Sequence, residues 1–326
     1  MTFALPDYWV WDFWTADDGD QFHLYYLHAP TSLGDPHLRH RNARIGHAVS
    51  DDLRTWRDLG PCLLPGESLD VDADATWTGS VVRGDDGGWR MFYTGSRFLE
   101  PVAHVNIETV ALAVSDDLHH WHKQPAASIS APLGRYETLG TSEWHEEAWR
   151  DPYVLRESDG SWSMLITARS IDGDDELDRG VVATATSSDL EQWTIGEPLT
   201  APGGGFAHLE VPQIVTVDGR RSLLFSCDTP ALAGARRTAG ERGGIWVLDL
   251  PDGQAAPYDA SMARLLVDES LYAGRAVQDR AGDWYLMAFQ MESADGEFGG
   301  SITDPIPLVR DPQSGALVLM TTEVTR

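Results

Sequence analysis

The stretch "DDGGWRMFYTGS", residues 85–96, decides the fold because its pattern recurs along the chain. It joins a glycine turn signal to a run of apolar and aromatic residues that favour β-strands. The pattern occurs five times in 326 residues, with 68, 73, 59 and 63 residues between its glycines, which are Gly19, Gly87, Gly160, Gly219 and Gly282. Short strands repeated with this period predict an all-β fold, a five-bladed β-propeller. We expect a single domain over residues 1–326.

A second repeated element predicts how strands end. It reads "AVSDDLRTW" at 48–56, "AVSDDLHHW" at 113–121 and "ATSSDLEQW" at 185–193. Each copy is typical of a strand that ends in a polar turn, because Asp and Ser accept hydrogen bonds from nearby backbone N–H groups. We expect its Leu and Trp to pack in the core. The acids of this element therefore belong to turns and not to a catalytic site.

The composition excludes several classes of partner. The chain has 24 Lys and Arg against 51 Asp and Glu, a net charge of −27, which argues against nucleic acid and anionic membranes. Its two cysteines lie far apart and lack metal-ligand spacing, so we expect no disulfide, no metal and no cofactor. The beginning of the sequence has no targeting pattern and no long apolar run follows. We therefore expect a cytoplasmic protein; its oligomeric state stays open.

Three of the predicted innermost strands carry one acid each at nearly the same register. Asp12 precedes Gly19 by seven residues, and Asp151 and Glu210 each precede the glycine of their repeat by nine. Innermost strands line the central channel, where propellers bind ligands, so these acids are expected to converge. Three carboxylates suit glycoside cleavage: one is ionised and attacks or activates water, one is protonated and donates its proton, and one stabilises positive charge.

Side chains beside these acids are candidates for sugar binding. They are aromatic, basic or hydroxyl-bearing: Trp11, Trp14, Trp77, Ser80, Arg150, His208, Tyr272 and Arg275. The chain has 13 tryptophans, and each of them alone also suits a core position, because indoles serve both as core blocks and as platforms for sugars. His208 lies two residues before Glu210, so on a strand both would face the same side.

Three further segments carry polar groups without predicting a metal site. The "HEE" cluster at 145–147 lacks a second His four residues away and predicts a loop at the site mouth. The acidic run 172–178 lacks the spacing of an EF-hand and predicts an exposed loop. The basic segment 33–47 predicts a long loop beside the site.

Five short motifs together resemble a known group of proteins. They are "VWDFW" (10–14), "TGS" (78–80), "WRDP" (149–152), "EVP" (210–212) and "LYAGR" (271–275). The set is similar to the five-bladed propeller glycosidases and fructosyltransferases of glycoside hydrolase families 32, 68 and 43. The resemblance covers essentially the whole chain. It implies that Asp12 is the nucleophile, that Asp151 stabilises the transition state and that Glu210 is the acid/base.

The motifs also depart from the usual family pattern. "VWDFW" is closer to the Val-Trp-Asp-Ser-Trp of levansucrase-like enzymes than to the Asn-Asp-Pro-Asn of invertases. "EVP" is neither Glu-Cys-Pro nor Glu-Arg-Pro. The sequence also predicts no counterpart of the C-terminal β-sandwich that typical family 32 enzymes carry.

The resemblance implies a retaining β-fructofuranosidase that acts on a small carbohydrate, sucrose or fructo-oligosaccharides. Three alternatives stay open at this point. One is a levansucrase-type fructosyltransferase, and another is an inverting family 43-like arabinofuranosidase or xylosidase with Asp12 as general base. The third is a non-catalytic sugar-binding propeller. The leaving group and the chain-length preference are not specified by any motif.

Overall fold

The computed structural model describes residues 2–100, 105–251, 253–293 and 296–320, and these form a five-bladed β-propeller. The predicted fold class is confirmed. Each blade is a four-stranded antiparallel sheet whose strands follow one another outward in chain order.

The strands are numbered along the chain. Blade I contains β1 (Tyr8–Asp17), β2 (Phe22–Pro30), β3 (Arg44–Ser50) and β4 (Arg57–Leu63). Blade II contains β5 (Ala75–Arg83), β6 (Trp89–Phe98), β7 (Asn106–Ser115) and β8 (His122–Lys123). Blade III contains β9 (Trp149–Arg156), β10 (Trp162–Arg169), β11 (Gly180–Ser187) and β12 (Thr194–Ile195). A short parallel pair outside the blades consists of β13 (Thr200–Ala201) and β17 (Tyr258–Asp259).

The last two blades follow the same plan. Blade IV contains β14 (Glu210–Val217), β15 (Arg220–Cys227), β16 (Gly244–Leu250) and β18 (Arg264–Asp268). Blade V contains β19 (Leu271–Gln278), β20 (Trp284–Gln290), β21 (Ile306–Arg310) and β22 (Leu317–Leu319).

Helical structure is confined to short segments. One α-helix, α1 (Gly234–Ala239), occurs in the described residues, and no helix among them is long and apolar enough to cross a membrane. The 3₁₀ turns are Thr31–Leu33, Pro36–Asn42, Pro125–Ala127, Glu176–Asp178, Thr229–Ala231 and Ala260–Met262.

The first strand of each blade is the innermost one. β1, β5, β9, β14 and β19 contact one another in that order, and β19 contacts β1, so the ring is closed. The segment before β1 reinforces the closure, because Phe3 pairs with Ile302 and Ile302 pairs in turn with Phe289 of β20. A piece of chain that precedes blade I is thus hydrogen-bonded to blade V.

The predicted glycine turns join the first strand to the second in all five blades. Their glycines have φ between 73° and 96°, a region that costs glycine little and other residues more. The strand that follows is covered by neighbouring blades on both faces, which explains its nearly continuous apolar run. In β2, for example, residues 22–29 are all buried.

The second repeated element forms the polar turns that the sequence predicts. The carboxylate of the aspartate that precedes its leucine accepts backbone N–H bonds of 2.7–2.9 Å from the residues two and three positions later, at Asp52, Asp117 and Asp189. The leucine that follows each acid is at most 1% exposed, at Leu53, Leu118 and Leu190. These acids hold turns together.

The acidic run 172–178 is only partly the exposed loop that the sequence predicts. Its last residue, Asp178, is buried, and its Oδ1 accepts hydrogen bonds from the backbone N–H of Gly205 at 2.6 Å and of Phe206 at 3.0 Å. The expectation is wrong for Asp178, because this acid fastens one loop to another instead of facing solvent.

Candidate active site

Every innermost strand carries one extra residue relative to its partner strand. This β-bulge lies in the first half of each strand. Two residues stand opposite one residue of the partner strand at 11–12 in β1, 151–152 in β9, 211–212 in β14 and 273–274 in β19, and residue 78 of β5 has no partner. In a regular strand side chains alternate between the two faces of the sheet, and here both faces meet neighbouring blades. A bulge re-aims side chains. It therefore turns residues at the inner edge towards the channel.

The bulges bring the three predicted acids together. Asp12 and Asp151 lie within bulges and Glu210 lies directly before one, and all three line one cavity of about 320 Å³. The basic segment 33–47 and the loop before β9 also line this cavity, as expected, through His37, Arg39, His40, His145 and Glu146.

Asp12 is held in a setting that favours its protonated form. Thr78 Oγ1 donates a hydrogen bond of 2.5 Å to Asp12 Oδ2. Burial raises the pKa of Asp12 to about 7, and the negative charges of Asp151 and Glu210 add to this, while Thr78 and Arg39 oppose it. Below neutral pH the free site therefore holds a proton on Asp12.

Asp151 is the most rigidly held of the three acids. It is 3% exposed, and its Oδ2 accepts hydrogen bonds from Thr167 Oγ1 at 2.9 Å and from the backbone N–H of Val211 at 3.0 Å. Its own N–H donates to Thr94 Oγ1 at 2.9 Å. Burial raises the pKa of Asp151, against the positive charge of Arg150. Its φ of 59° is unusual for a residue other than glycine and is imposed by the bulge.

Glu210 is surrounded by donors and positive charge. Arg150 donates to its Oε1 at 2.9 Å and the Tyr272 hydroxyl to its Oε2 at 2.5 Å, and His208 Nε2 lies 3.3 Å from Oε2. Burial raises the pKa of Glu210, but His208, Arg150 and Tyr272 outweigh it and lower the pKa to about 2. In the free site Glu210 is ionised and Asp12 carries the proton.

One guanidinium serves several carboxylates. Arg150 lies within 3.1 Å of Glu108, 3.3 Å of Glu146, 2.9 Å of Glu210 and 3.9 Å of Asp151. Glu108 is fully buried, and burial raises its pKa to about 8 despite Arg150. Arg150 thus fixes the relative positions of acids from three blades, II, III and IV.

Arg39 supplies a second positive charge at the cavity. Its guanidinium carbon lies 4.2 Å from the centre of the Phe298 ring and 5.7 Å from that of Trp11. Burial lowers the pKa of Arg39 to about 10, while Asp12 and Glu210 raise it. The group stays charged at neutral pH, facing the acids.

The structure places the predicted sugar-binding residues in two cavities. Those at the cavity of the acids are Trp11, Trp77, Arg150, His208 and Tyr272. A second cavity, of about 250 Å³ and further along the same strands, is lined by Trp14, Ser80 and Arg275. They lie one or two residues beyond the bulges and line this second cavity instead of the cavity of the acids. Of the three, Arg275 still lies near enough to the acids for the charges of Asp151 and Asp12 to act on it.

Several residues of the site were missed by sequence reasoning. They are Thr78, Glu108 and Asp228. Glu108 does have a sequence signal, since it is the one acid in the apolar strand segment "IETVALAV" at 107–114. Thr78 stands in the "TGS" motif, but no pattern indicates its hydrogen bond to Asp12, because that bond joins two blades.

Comparison with known proteins gives the following likenesses. Residues 15–298 match the family model described as glycosyl hydrolases family 32 N-terminal domain. A sucrose-6-phosphate hydrolase of Escherichia coli is 29% identical over 212 residues, 64% of this chain and 39% of that protein. A raffinose invertase of Escherichia coli is 29% identical over 211 residues, 63% of this chain and 38% of that protein. The chain thus spans well under half the length of these curated relatives.

Solved structures agree with the fold. An inulosucrase from Halalkalicoccus jeotgali bound to kestose has a TM-score of 0.76 at 22% identity, over 98% of this chain and 90% of that one. A family 32 β-fructofuranosidase of Bombyx mori has a TM-score of 0.71 at 21% identity, over 99% of this chain and 64% of that one. At these identities the likeness shows the propeller fold.

The raised pKa of Asp12 predicts that the site destabilises the protein at alkaline pH. The pKa rises from 3.8 to about 7 on folding, so stability is lost as pH increases from about 4 to about 7, by up to about 4 kcal/mol. Asp12→Asn removes the ionisation. We expect this variant to be more stable than wild type in urea unfolding at about pH 8, with the gain vanishing near about pH 4.

Asp52→Asn is the matched control, because folding lowers the pKa of Asp52 whereas it raises the pKa of Asp12. Backbone hydrogen bonds from Thr55 and Arg54 lower the pKa of Asp52 to about 2, so this substitution brings no gain at alkaline pH. An Asp12→Asn variant that is less stable than wild type at alkaline pH would contradict the electrostatic description of the site.

Proposed function

The chain belongs to the glycosyl hydrolases family 32 N-terminal domain family, and we propose that it hydrolyses terminal β-fructofuranosyl groups of sucrose or fructo-oligosaccharides with retention. The observation that carries the proposal is the convergence of Asp12, Asp151 and Glu210 in one cavity. Relatives named as a sucrose-6-phosphate hydrolase and a raffinose invertase support a sucrose-like substrate. Two unpaired cysteines support a reducing, cytoplasmic location.

In the proposed first half-reaction, Asp12 attacks the anomeric carbon of the fructosyl group while Glu210 protonates the leaving oxygen. The product is a fructosyl ester of Asp12. Glu210 then takes a proton from water, which attacks the same carbon and releases Asp12. Asp151 is held by two hydrogen bonds to Oδ2, so its other oxygen is placed to accept sugar hydroxyls and to stabilise the oxocarbenium-like transition state.

The proton of the free site is on the wrong acid for this reaction. Asp12 carries it, with a pKa near 7, whereas Glu210 is ionised, with a pKa near 2. The reactive form contains the same number of protons, but the proton lies on Glu210 and Asp12 is ionised. A bound sugar favours the exchange, because its hydroxyls hydrogen-bond to the Asp12 carboxylate and its glycosidic oxygen accepts from a protonated Glu210.

The surroundings of the cavity determine which substrates to compare. His37, Arg39, His40 and His145 line the cavity, and basic groups of this kind also suit a phosphorylated sugar. The assay panel therefore contains sucrose, sucrose 6-phosphate, fructan oligosaccharides and aryl arabinofuranosides. Longer saccharides formed from sucrose would indicate a fructosyltransferase, and activity on arabinofuranosides alone would overturn the assignment to fructosides.

Loss of either reacting acid is expected to abolish turnover without unfolding the protein. Glu210→Gln should lower kcat on sucrose by about 10²–10⁴-fold, and Asp12→Asn should lower it further because no nucleophile remains. Wild type should release equal glucose and fructose, with β-fructose as the first anomer seen by NMR.

Asp17→Asn is the matched control, because Asp17 lies on β1 at the end remote from Asp12 and pairs with Arg280. It should keep wild-type activity. Full activity in both acid variants would show that neither acid takes part in the hydrolysis, and α-fructose as the first product would indicate inversion.

The dependence of kcat/KM on pH should show the pKa of the proton that Asp12 holds in the free site. Because the reactive form contains one proton among the three acids, kcat/KM should fall tenfold per unit as pH rises above about 7, the pKa of Asp12. Thr78→Val should move this alkaline limb to higher pH, since the hydrogen bond from Thr78 lowers that pKa. Thr55→Val, in an exposed turn, should leave it in place. A limb that is unmoved by Thr78→Val would contradict the assignment to Asp12.

A further inference from the structure

A group of three metal-ligating side chains lies beside Glu210 on blade IV. His208 precedes β14, Cys227 ends β15, and Asp228 follows it. One donor atom from each of the three lies within 4.8 Å of the other two. The mechanism above uses neither Cys227 nor Asp228.

His208 lacks the hydrogen bonds that a buried imidazole needs. Its side chain is 12% exposed, both ring nitrogens are buried, and neither makes a hydrogen bond within the described part of the chain. Nε2 lies 3.3 Å from Glu210 Oε2 and 3.9 Å from Asp228 Oδ1. Buried polar atoms are normally paired, so a ring that faces two carboxylates and a thiol without a hydrogen bond points to a missing ligand.

The spacing of these atoms suits a tetrahedral cation. Ligand atoms around Zn²⁺ stand about 3.3–3.6 Å apart, given the usual Zn–N, Zn–O and Zn–S bond lengths. The His208–Glu210 pair is already at 3.3 Å. The donor atoms of His208, Cys227 and Asp228 lie within 4.8 Å of one another, so these three require a closure of at most about 1.5 Å, which side-chain rotation supplies.

The donor set selects the class of metal. One nitrogen, one sulfur and two carboxylate oxygens suit Zn²⁺, whereas Mg²⁺ and Ca²⁺ prefer oxygen ligands alone. His208, Glu210 and Asp228 line the cavity, so a cation enters through the cavity mouth. Cys227 Sγ lies behind them, fully buried, and contacts the Asp228 carbonyl oxygen at 3.7 Å.

We propose that His208, Cys227 and Asp228 bind one Zn²⁺ ion, with Glu210 as the fourth ligand, and that this ion inhibits the enzyme reversibly. Binding releases the Cys227 proton to solvent and leaves a zinc–thiolate bond. Glu210 is then unable to donate a proton to the leaving oxygen. The ion is an inhibitor here and not a cofactor of the reaction. The inhibition, but not the binding, rests on the proposed function.

Binding is tested with Co²⁺ as a coloured substitute for Zn²⁺. Titration of the whole purified chain should produce a thiolate-to-cobalt absorption band that saturates at one equivalent and disappears when Zn²⁺ is added. Cys227→Ser should lose this band, and Cys62→Ser should keep it, because Cys62 is the other free cysteine and lies in blade I. Circular dichroism verifies that both variants are folded. Absence of the band in wild type, or its persistence in Cys227→Ser, overturns the site.

Inhibition is tested separately on sucrose hydrolysis. Zn²⁺ should reduce kcat saturably, EDTA should restore it, and Mg²⁺ at the same concentration should have no effect. Cys227→Ser should keep wild-type activity without metal and require at least about tenfold more Zn²⁺ for the same inhibition. Equal inhibition of wild type and Cys227→Ser overturns the inhibitory role. A cobalt band in a protein that hydrolyses no fructoside would instead leave the metal site standing and refute the proposed function.

Discussion

The site depends on one extra residue in each innermost strand. Both faces of these strands pack against neighbouring blades. In a regular strand the side chains point to these two faces, so only the backbone edge would face the channel. The bulges bend this edge and turn Asp12 and Asp151 inward, with Glu210 directly before the third bulge. Glycine at position 79 belongs to the same constraint, because a Cβ there would lie 2.1 Å from the Phe92 carbonyl oxygen.

Convergence of like charges has an electrostatic consequence. Burial and mutual repulsion raise the pKa of Asp12 and Asp151, whereas Arg150, His208 and Tyr272 hold Glu210 ionised. The result is a site in which Asp12 holds a proton up to about pH 7 while Glu210 is ionised. The arrangement opposes folding at alkaline pH and, on the proposed mechanism, provides both a nucleophile and an acid once substrate moves that proton.

The sequence was sufficient for the fold and for the convergence of the three acids in one cavity, because both follow from local patterns. Turn glycines and apolar runs recur once in each blade, and each acid stands seven or nine residues before its glycine. Contacts between blades have no such pattern. The bonds from Thr78 to Asp12 and from Arg150 to Glu108 each join two neighbouring blades. Ser80 and Arg275 stand in the same sequence motifs as Thr78 and Tyr272, but they line the second cavity.

The central claim is that Asp12 attacks the sugar while Glu210 supplies the proton. Its most direct test is mass spectrometry of the Glu210→Gln variant after reaction with a fructoside whose leaving group needs no protonation. Without the base, the ester should accumulate, and peptide mapping should find one fructosyl unit on the peptide that contains Asp12. An adduct on Asp151, or no adduct while the activated fructoside is still consumed, would contradict the account.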